Sequence, residues 1–119
     1  MGRGVNLPRG SIVIVDLDPT AGHEQGGRRP CVVVSATAAG RVQRYPLLAV
    51  VPLTSTKGLG DLYPVVEPGP RNGLRVPSTA LIDNVRAIDR LRISAGLGAV
   101  ENTVMRQIDA GLRFFLTLP

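Results

Sequence analysis

The sequence predicts a mainly β fold of the α+β class: a small twisted barrel of five to seven short strands with one C-terminal amphipathic helix. Three observations predict it. Segments rich in Val, Ile and Leu, five to nine residues long, recur along residues 11–82 between turns marked by Gly, Pro and Asn. The pair Asn72-Gly73 is the strongest short hairpin signal a sequence can carry. Helical periodicity is confined to about residues 100–116, where Val100, Val104, Ile108, Leu112 and Phe115 recur at three- or four-residue spacing. Many strands, tight turns and one terminal helix bury their apolar faces most economically as a barrel with the helix laid on it.

The elements follow in order. Residues 1–10, rich in Gly, Pro and Arg, are expected as a mobile arm, and residues 11–119 as a single domain. Residues 11–17 alternate Ile12, Ile14 and Asp16 against Val13, Val15 and Leu17, a strand closed by Asp18-Pro19. Residues 21–29 hold three glycines and read as a long loop. Residues 30–35, apolar throughout, form a strand covered on both faces. A polar connection at 38–45 leads to a third strand at 47–53, in which Pro52 must stop the ladder or meet an edge. Residues 54–60 form a polar turn, 62–66 a fourth strand, and 74–82 a fifth, containing Pro77 and followed by 83–88. A short last strand is expected at 90–93 and a hinge at Gly96 to Gly98. The helix presents Glu101, Asn102, Arg106 and Asp109 as its polar face.

Length and composition bound the function. At 119 residues, 44% of them hydrophobic, the chain is one domain with enough apolar material for a core. Aromatics are 3% and Trp is absent, which counts against a single-strand binder built on base stacking. Lys+Arg number 14 against 9 Asp+Glu, a net charge of +5, and every cation except Lys57 is Arg. Arg presents a planar fork that matches phosphate, so the balance suits a polyanionic or acidic partner; a genome favouring Arg codons would give the same composition. Cys31 is the sole cysteine and lies in an apolar run, where a buried thiol is expected instead of a nucleophile. No signal-peptide run opens the chain, and Leu47 to Val51 is far too short to span a bilayer, so a cytoplasmic protein with no membrane partner is expected. No Cys/His cluster has zinc spacing, no carboxylate pair suits a two-metal nuclease, and Gly22 to Gly27 leads into a strand instead of a helix; no metal and no cofactor are expected.

One block is specific. Val15-Asp-Leu-Asp-Pro-Thr-Ala-Gly-His-Glu-Gln-Gly-Gly-Arg-Arg-Pro30, continuing Cys-Val-Val-Val-Ser35, resembles the signature of the MazF/PemK toxins: a strand ending Asp-Leu-Asp-Pro, a loop with Gly-x-Glu-Gln-x-Gly-x-Arg-Pro, then an apolar strand. Two further blocks match in order. Val51-Pro-Leu-Thr-Ser-Thr56 resembles the family's third-strand end, and Pro77 to Arg92 its Ser-x-x-x-x-Asp-Gln-Val-Arg block. The resemblance covers roughly residues 10–116. It implies an SH3-like barrel, a homodimer, and sequence-specific, metal-independent endoribonuclease cleavage of single-stranded RNA. It also implies a cognate antitoxin whose acidic or hydrophobic tail lies across the RNA groove, with a heterohexamer as one assembly of the two. Whether the RNA is mRNA, tRNA or rRNA is left open.

Such cleavage has stated needs. A 2′-hydroxyl attacks the adjacent phosphorus, leaving a 2′,3′-cyclic phosphate and a 5′-hydroxyl. Proton removal and proton donation each contribute about 10²–10⁴-fold, and fixed donors must stabilise charge on the phosphorane oxygens. The resemblance carries over Arg29, as the Arg before Pro, and Thr54, as the Thr after Pro-Leu. Arg29 suits charge stabilisation, because a guanidinium with a pKa above about 12 is a poor acid or base. Thr54 can donate its hydroxyl to a phosphate oxygen. Glu24, the sole carboxylate inside the loop motif, is either a general base or a ligand of loop amides. His23, the one histidine, stands where the family often has Ser, and reads as an RNA contact or a solvated residue. Gln25, Arg28, Ser55, Lys57, Ser78 and Arg86 are candidate contacts to phosphate or base edges, or plain surface. Asn84 stands where the family usually has Gln, which shortens an amide in the expected RNA groove.

Two other functions compete. A CcdB-like, non-enzymatic inhibitor of DNA gyrase would share the fold, but such toxins rely on a Trp-containing C-terminus, and this chain ends Phe114-Phe-Leu-Thr-Leu-Pro119. A paralogue that binds RNA or antitoxin without cutting would tolerate Asn84 but has no need of Arg29 and Thr54.

Overall fold

The computed structural model describes residues 6–37 and 46–119. The polar connection expected at 38–45 and the first half of the expected arm, residues 1–5, lie outside the described residues. Strand β1 (Ser11–Asp16) pairs antiparallel with β2 (Arg28–Val33), and β2 with β3 (Leu47–Thr54). Short strands β4 (Val65–Val66) and β5 (Ser78–Ala80), then β6 (Arg86–Asp89) and β7 (Ile93–Ala99), complete the sheet, and helix α1 (Asn102–Leu116) ends it. The sheet has seven strands in the order β4-β5-β3-β2-β1-β7, with β6 on β3 as a branch. The result is the expected mainly β half-barrel with a C-terminal helix.

The period-2 alternation of the strands explains the core. Val13 and Val15, Cys31 and Val33, and Leu48 and Val50 point to one side, where Leu7, Leu17, Ile88 and Ile93 close the barrel. Their alternates Ile12, Val32, Val51 and Leu53 point to the other side, where Val66, Ile82, Ile108 and Leu112 cover them. Helix α1 thus roofs the outer face. This is why the apolar run after Pro30 has no polar register: both of its faces are covered.

Strand β3 organises the rest. Leu47 to Val50 pair with β6, while Leu53 and Thr54 pair with β5. Pro52, expected to stop the ladder, sits at this changeover, where its missing N–H costs no bond, and its carbonyl accepts from the Leu81 N–H at 2.9 Å. The strand therefore runs on to Thr54.

Several expectations need correction. The segment 6–10 is held, not mobile: Leu7 is buried in the barrel core, Arg9 Nε donates to Val34 O at 2.9 Å, and Gly10 N donates to Val33 O at 2.8 Å. The fourth strand shrinks to Val65–Val66 and the fifth to Ser78–Ala80, which begins after Pro77 and gives way to a 3₁₀ turn at Ile82–Asn84. Residues 90–92 form a second 3₁₀ turn, capped by Asp89 Oδ1 accepting from Leu91 N at 2.9 Å. The expected hinge at Gly96 to Gly98 is the middle of β7, paired along β1. A Cβ on Gly98 would lie 2.0 Å from the Arg71 carbonyl oxygen, so this glycine allows a neighbouring loop to approach. Asn72-Gly73 does connect antiparallel β4 and β5, but inside a long loop: Asn72 Oδ1 accepts from Gly69 N (3.1 Å) and Leu74 N (3.0 Å). On α1, Ile108 and Leu112 are buried as expected, whereas Phe115 is exposed.

Candidate active site

The loop between β1 and β2 is closed at its root by two reciprocal bonds. Leu17 N donates to Gly27 O at 3.0 Å, and Gly27 N donates to Asp18 Oδ1 at 3.1 Å. Gly27 has a φ of +78°, the left-handed conformation a glycine adopts without strain. Gly26 is required for a different reason: a Cβ there would stand 2.8 Å from Asp18 Oδ1 and 3.0 Å from Thr20 Oγ1. Two arginines hold the same root from outside. Arg86 Nη1 donates to Leu17 O at 3.0 Å, and Arg92 Nη1 donates to Asp18 O at 2.5 Å and Asp16 O at 3.2 Å.

Strand β2 starts two residues before Pro30, so Arg28 and Arg29 belong to the sheet and not to the loop. Arg29 pairs with Val15, and its Nε donates to Gly26 O at 2.6 Å. The orientation of the Gln25 carboxamide that matches donor to acceptor puts Oε1 against all three nitrogens of the same guanidinium, 2.7 Å from Nε, 3.1 Å from Nη1 and 2.5 Å from Nη2. Gly26 O and the Gln25 carboxamide thus hold the Arg29 guanidinium beside the opening.

A cleft of about 340 Å³ opens beside Arg29, lined by Arg28, Arg29, Pro30, Thr54, Ser55 and Ser78 among others. Thr54, at the end of β3, is 8% exposed, and its Oγ1 makes two long contacts of 3.3 Å, to Thr56 Oγ1 and Thr56 N. Bonds that long are readily exchanged for a phosphate oxygen. Ser78 Oγ donates to Val76 O at 3.2 Å within the same wall. Three segments distant in the chain thus bring two cations and three hydroxyls to one opening.

Glu24, Gln25, Asn84 and Arg86 line a smaller neighbouring cavity of about 110 Å³ instead. Glu24 Oε1 accepts from the Ala21 N–H at 2.6 Å while Glu24 N donates to Ala21 O at 3.1 Å, a closed turn. Asn84 Oδ1 accepts from Gln25 N at 2.9 Å. His23 and Lys57 are exposed and line neither opening. Cys31, beneath the site, is fully buried, and burial pushes its thiol up to about 12 from the usual 9.0 against the pull of Arg86 and Arg29. Among the described residues no cluster of three His, Cys, Asp or Glu stands ready for a metal, and no helix is long and apolar enough to cross a membrane.

Sequence reasoning missed the roles of Arg92, Asp83 and Tyr63. Arg92 lies in the same block as Arg86 and could have been found there. Nothing local to Tyr63 signals that its hydroxyl reaches Asp83, at 2.7 Å.

Fold and site together define a small β-barrel protein whose basic, hydroxyl-lined cleft has the charge and donors to grip a phosphodiester. The chain belongs to the family of PemK-like, MazF-like toxins of type II toxin–antitoxin systems, whose model it matches over residues 8–116. It is 36% identical to endoribonuclease PemK of Escherichia coli over 97% of this chain and 86% of that protein. It is 35% identical to endoribonuclease MazF9 of Mycobacterium tuberculosis over 94% of this chain and 98% of that protein. The crystal structure of MazF from Deinococcus radiodurans superposes with a TM-score of 0.78 at 31% identity, covering 92% of this chain and 96% of the other. A mycobacterial endoribonuclease solved in complex with its cognate antitoxin superposes with a TM-score of 0.73 at 25% identity, covering 94% and 96%. These relatives favour RNA cleavage over gyrase inhibition.

Proposed function

We propose that this chain is a sequence-specific endoribonuclease toxin that cleaves single-stranded RNA without a metal ion, by 2′-hydroxyl attack on the adjacent phosphorus. The supporting observation is that Arg29 and Thr54, from separate strands, line one cleft with Arg29 already held by Gly26 and Gln25. A guanidinium fixed before substrate arrives needs no reorganisation as charge builds on the phosphorane oxygens, which is what makes a preorganised donor effective. Thr54, at the end of β3, adds a second donor. Arg28, at the rim, contributes long-range attraction for the RNA backbone.

Glu24 holds the loop through Ala21, and Gln25 and Arg86 hold Arg29 and the loop root, so these three support the site more than they read the RNA. Ser55 and Ser78 offer hydroxyls inside the cleft; His23 and Lys57 lie outside it, where they can contact a longer RNA. The physiological inhibitor is a cognate antitoxin with an acidic or apolar tail, and the active form is a homodimer in the cytoplasm. Exposed Phe114, Phe115, Leu116 and Leu118 at the end of α1 supply apolar surface for such contacts.

The test is to incubate the purified protein with a long RNA in EDTA and map the ends. Cleavage at a short recurrent motif leaving 2′,3′-cyclic phosphate is expected, and Arg29→Ala should lower kcat about 10²–10³-fold while remaining folded. Intact RNA together with trapped gyrase–DNA complexes would overturn the reading.

A further inference from the structure

A run of hydrogen bonds, passing through the Gln25 backbone N–H and then its side chain, leads from outside the cleft to the Arg29 guanidinium. Tyr63 Oη donates to Asp83 Oδ2 at 2.7 Å. Asp83 Oδ1 accepts from Asn84 Nδ2 at 3.1 Å. The other end of that carboxamide, Oδ1, accepts the Gln25 backbone N–H at 2.9 Å. Gln25 Oε1 then accepts from Arg29 Nε and Nη2.

We propose that Asn84 is a positioning residue for Arg29, acting through Gln25, with Asp83 and Tyr63 orienting its carboxamide. The inference rests on the RNA-cleaving role given to Arg29 above. It is carried by a contrast in rigidity. Residues 21–24 are exposed, and although the Glu24–Ala21 turn and the bonds at Gly27 close the loop on either side, neither anchors Gln25 to the core. Asn84 ends the 3₁₀ turn Ile82–Asn84, whose Ile82 is fully buried beneath α1, 3.0 Å from where a Cβ on Gly111 would lie. The turn is therefore a fixed post, and one 2.9 Å bond ties the loop to it.

The amide must face the right way for this to work, because its two ends are chemically opposite. Asp83 accepts from Nδ2 and so turns Oδ1 toward Gln25. Tyr63 in turn donates to the second oxygen of Asp83, and that bond raises the phenol pKa above its usual 10.0, keeping the hydroxyl in its donor form. Both ends of the Asn84 amide thus have protein partners. A glutamine at this position would be longer by one C–C bond, about 1.5 Å, and could not occupy the same gap without displacing Gln25.

The test combines kinetics with a measurement that does not depend on cleavage. In Asn84→Ala, kcat should fall about tenfold to a hundredfold, the cost of misplacing a catalytic group, with KM for a short RNA and the cleaved motif unchanged. The double variant Asn84→Ala/Gln25→Ala should be no worse than the poorer single variant, because members of one chain are not additive. In the RNA-free protein, proton exchange at Arg29 Nε, read by NMR, should be faster in Asn84→Ala and in Gln25→Ala than in the unaltered protein. Tyr63→Phe, which removes one peripheral hydroxyl, should move the same two readouts in the same direction by less. A raised KM or altered motif with kcat intact would make Asn84 a base reader and overturn the proposal. So would additive losses, or an Arg29 exchange rate indifferent to Asn84. An unaltered protein that cuts no RNA would instead refute the nuclease reading, and the exchange rates would still decide the positioning.

Discussion

Arg9 and Asp109 are 100 residues apart and form a bidentate pair, with Arg9 Nη1 donating to Asp109 Oδ2 at 3.1 Å and Nη2 to Oδ1. The pair joins the start of the described chain to α1, while Arg9 Nε donates to Val34 O just beyond β2. Its side chains are 31% and 24% exposed, so water screens it in part, but the fork geometry is favourable. Arg9→Ala should cost about 1–2 kcal/mol of stability. A urea-unfolding double-mutant cycle with Asp109→Ala should show a coupling near 1 kcal/mol; independent losses would mean that Arg9 acts through Val34 alone.

Arg28 and Arg29 are adjacent but should behave differently. Arg28 is exposed at the rim of the cleft. Each phosphate contact on a single strand contributes about −0.7 to the slope of log K against log salt. Binding of a non-cleavable RNA by Arg28→Ala, measured across a salt series, should lose about that much slope while kcat in the unmodified RNA changes little. A slope that stays the same would remove Arg28 from the RNA path.

Glu24 separates two roles by a conservative change. If its carboxylate serves the Ala21 N–H, Glu24→Gln keeps an acceptor in place and should retain kcat within a few-fold, whereas a general base contributes about 10²–10⁴-fold. We expect the small effect from Glu24→Gln and a larger one from Glu24→Ala, measured as single-turnover cleavage. A loss of two orders of magnitude in Glu24→Gln would restore Glu24 as the base.

Cys31 supplies the pH dependence. Its thiol is pushed up by burial to about 12, so the folded state holds the proton more tightly than the unfolded chain, whose thiol titrates near 9.0. The stability linked to this group is fully present below pH 9, and it is lost as pH rises from there through about 12. Alkylation by iodoacetamide at pH 8–9 should be slow in the native protein and fast in urea. Rapid native labelling would show that the barrel opens at β2.

Much of this architecture was legible in the sequence, for identifiable reasons. Strands β1, β2 and β3 announce themselves because their alternates all meet apolar partners, and Ile108 and Leu112 mark the buried face of α1. Strand β7 was invisible: Ile-Ser-Ala-Gly-Leu-Gly-Ala has no strong β pattern, and it forms because β1 offers an unpaired edge. Arg29 and Thr54 could be named from the motif because each sits at a fixed offset from a proline. The bonds from Asn84 to Gln25 and from Arg92 to Asp18 span 59 and 74 residues and depend on how the sheet curls, which no local pattern encodes.

The pairing of β1 with β7 also sets the order in which the cleft can be assembled. Strand β1 must wait for β7, the last strand of the sheet, because Ser11 is matched to Ala99. The cleft draws on residues up to Ser78, and the arginine that braces the loop root comes at position 92. Until residues 92–99 have joined the fold, β1 lacks its outer partner and the loop root lacks its Arg92 brace, so the cleft is among the last features of the molecule to take shape.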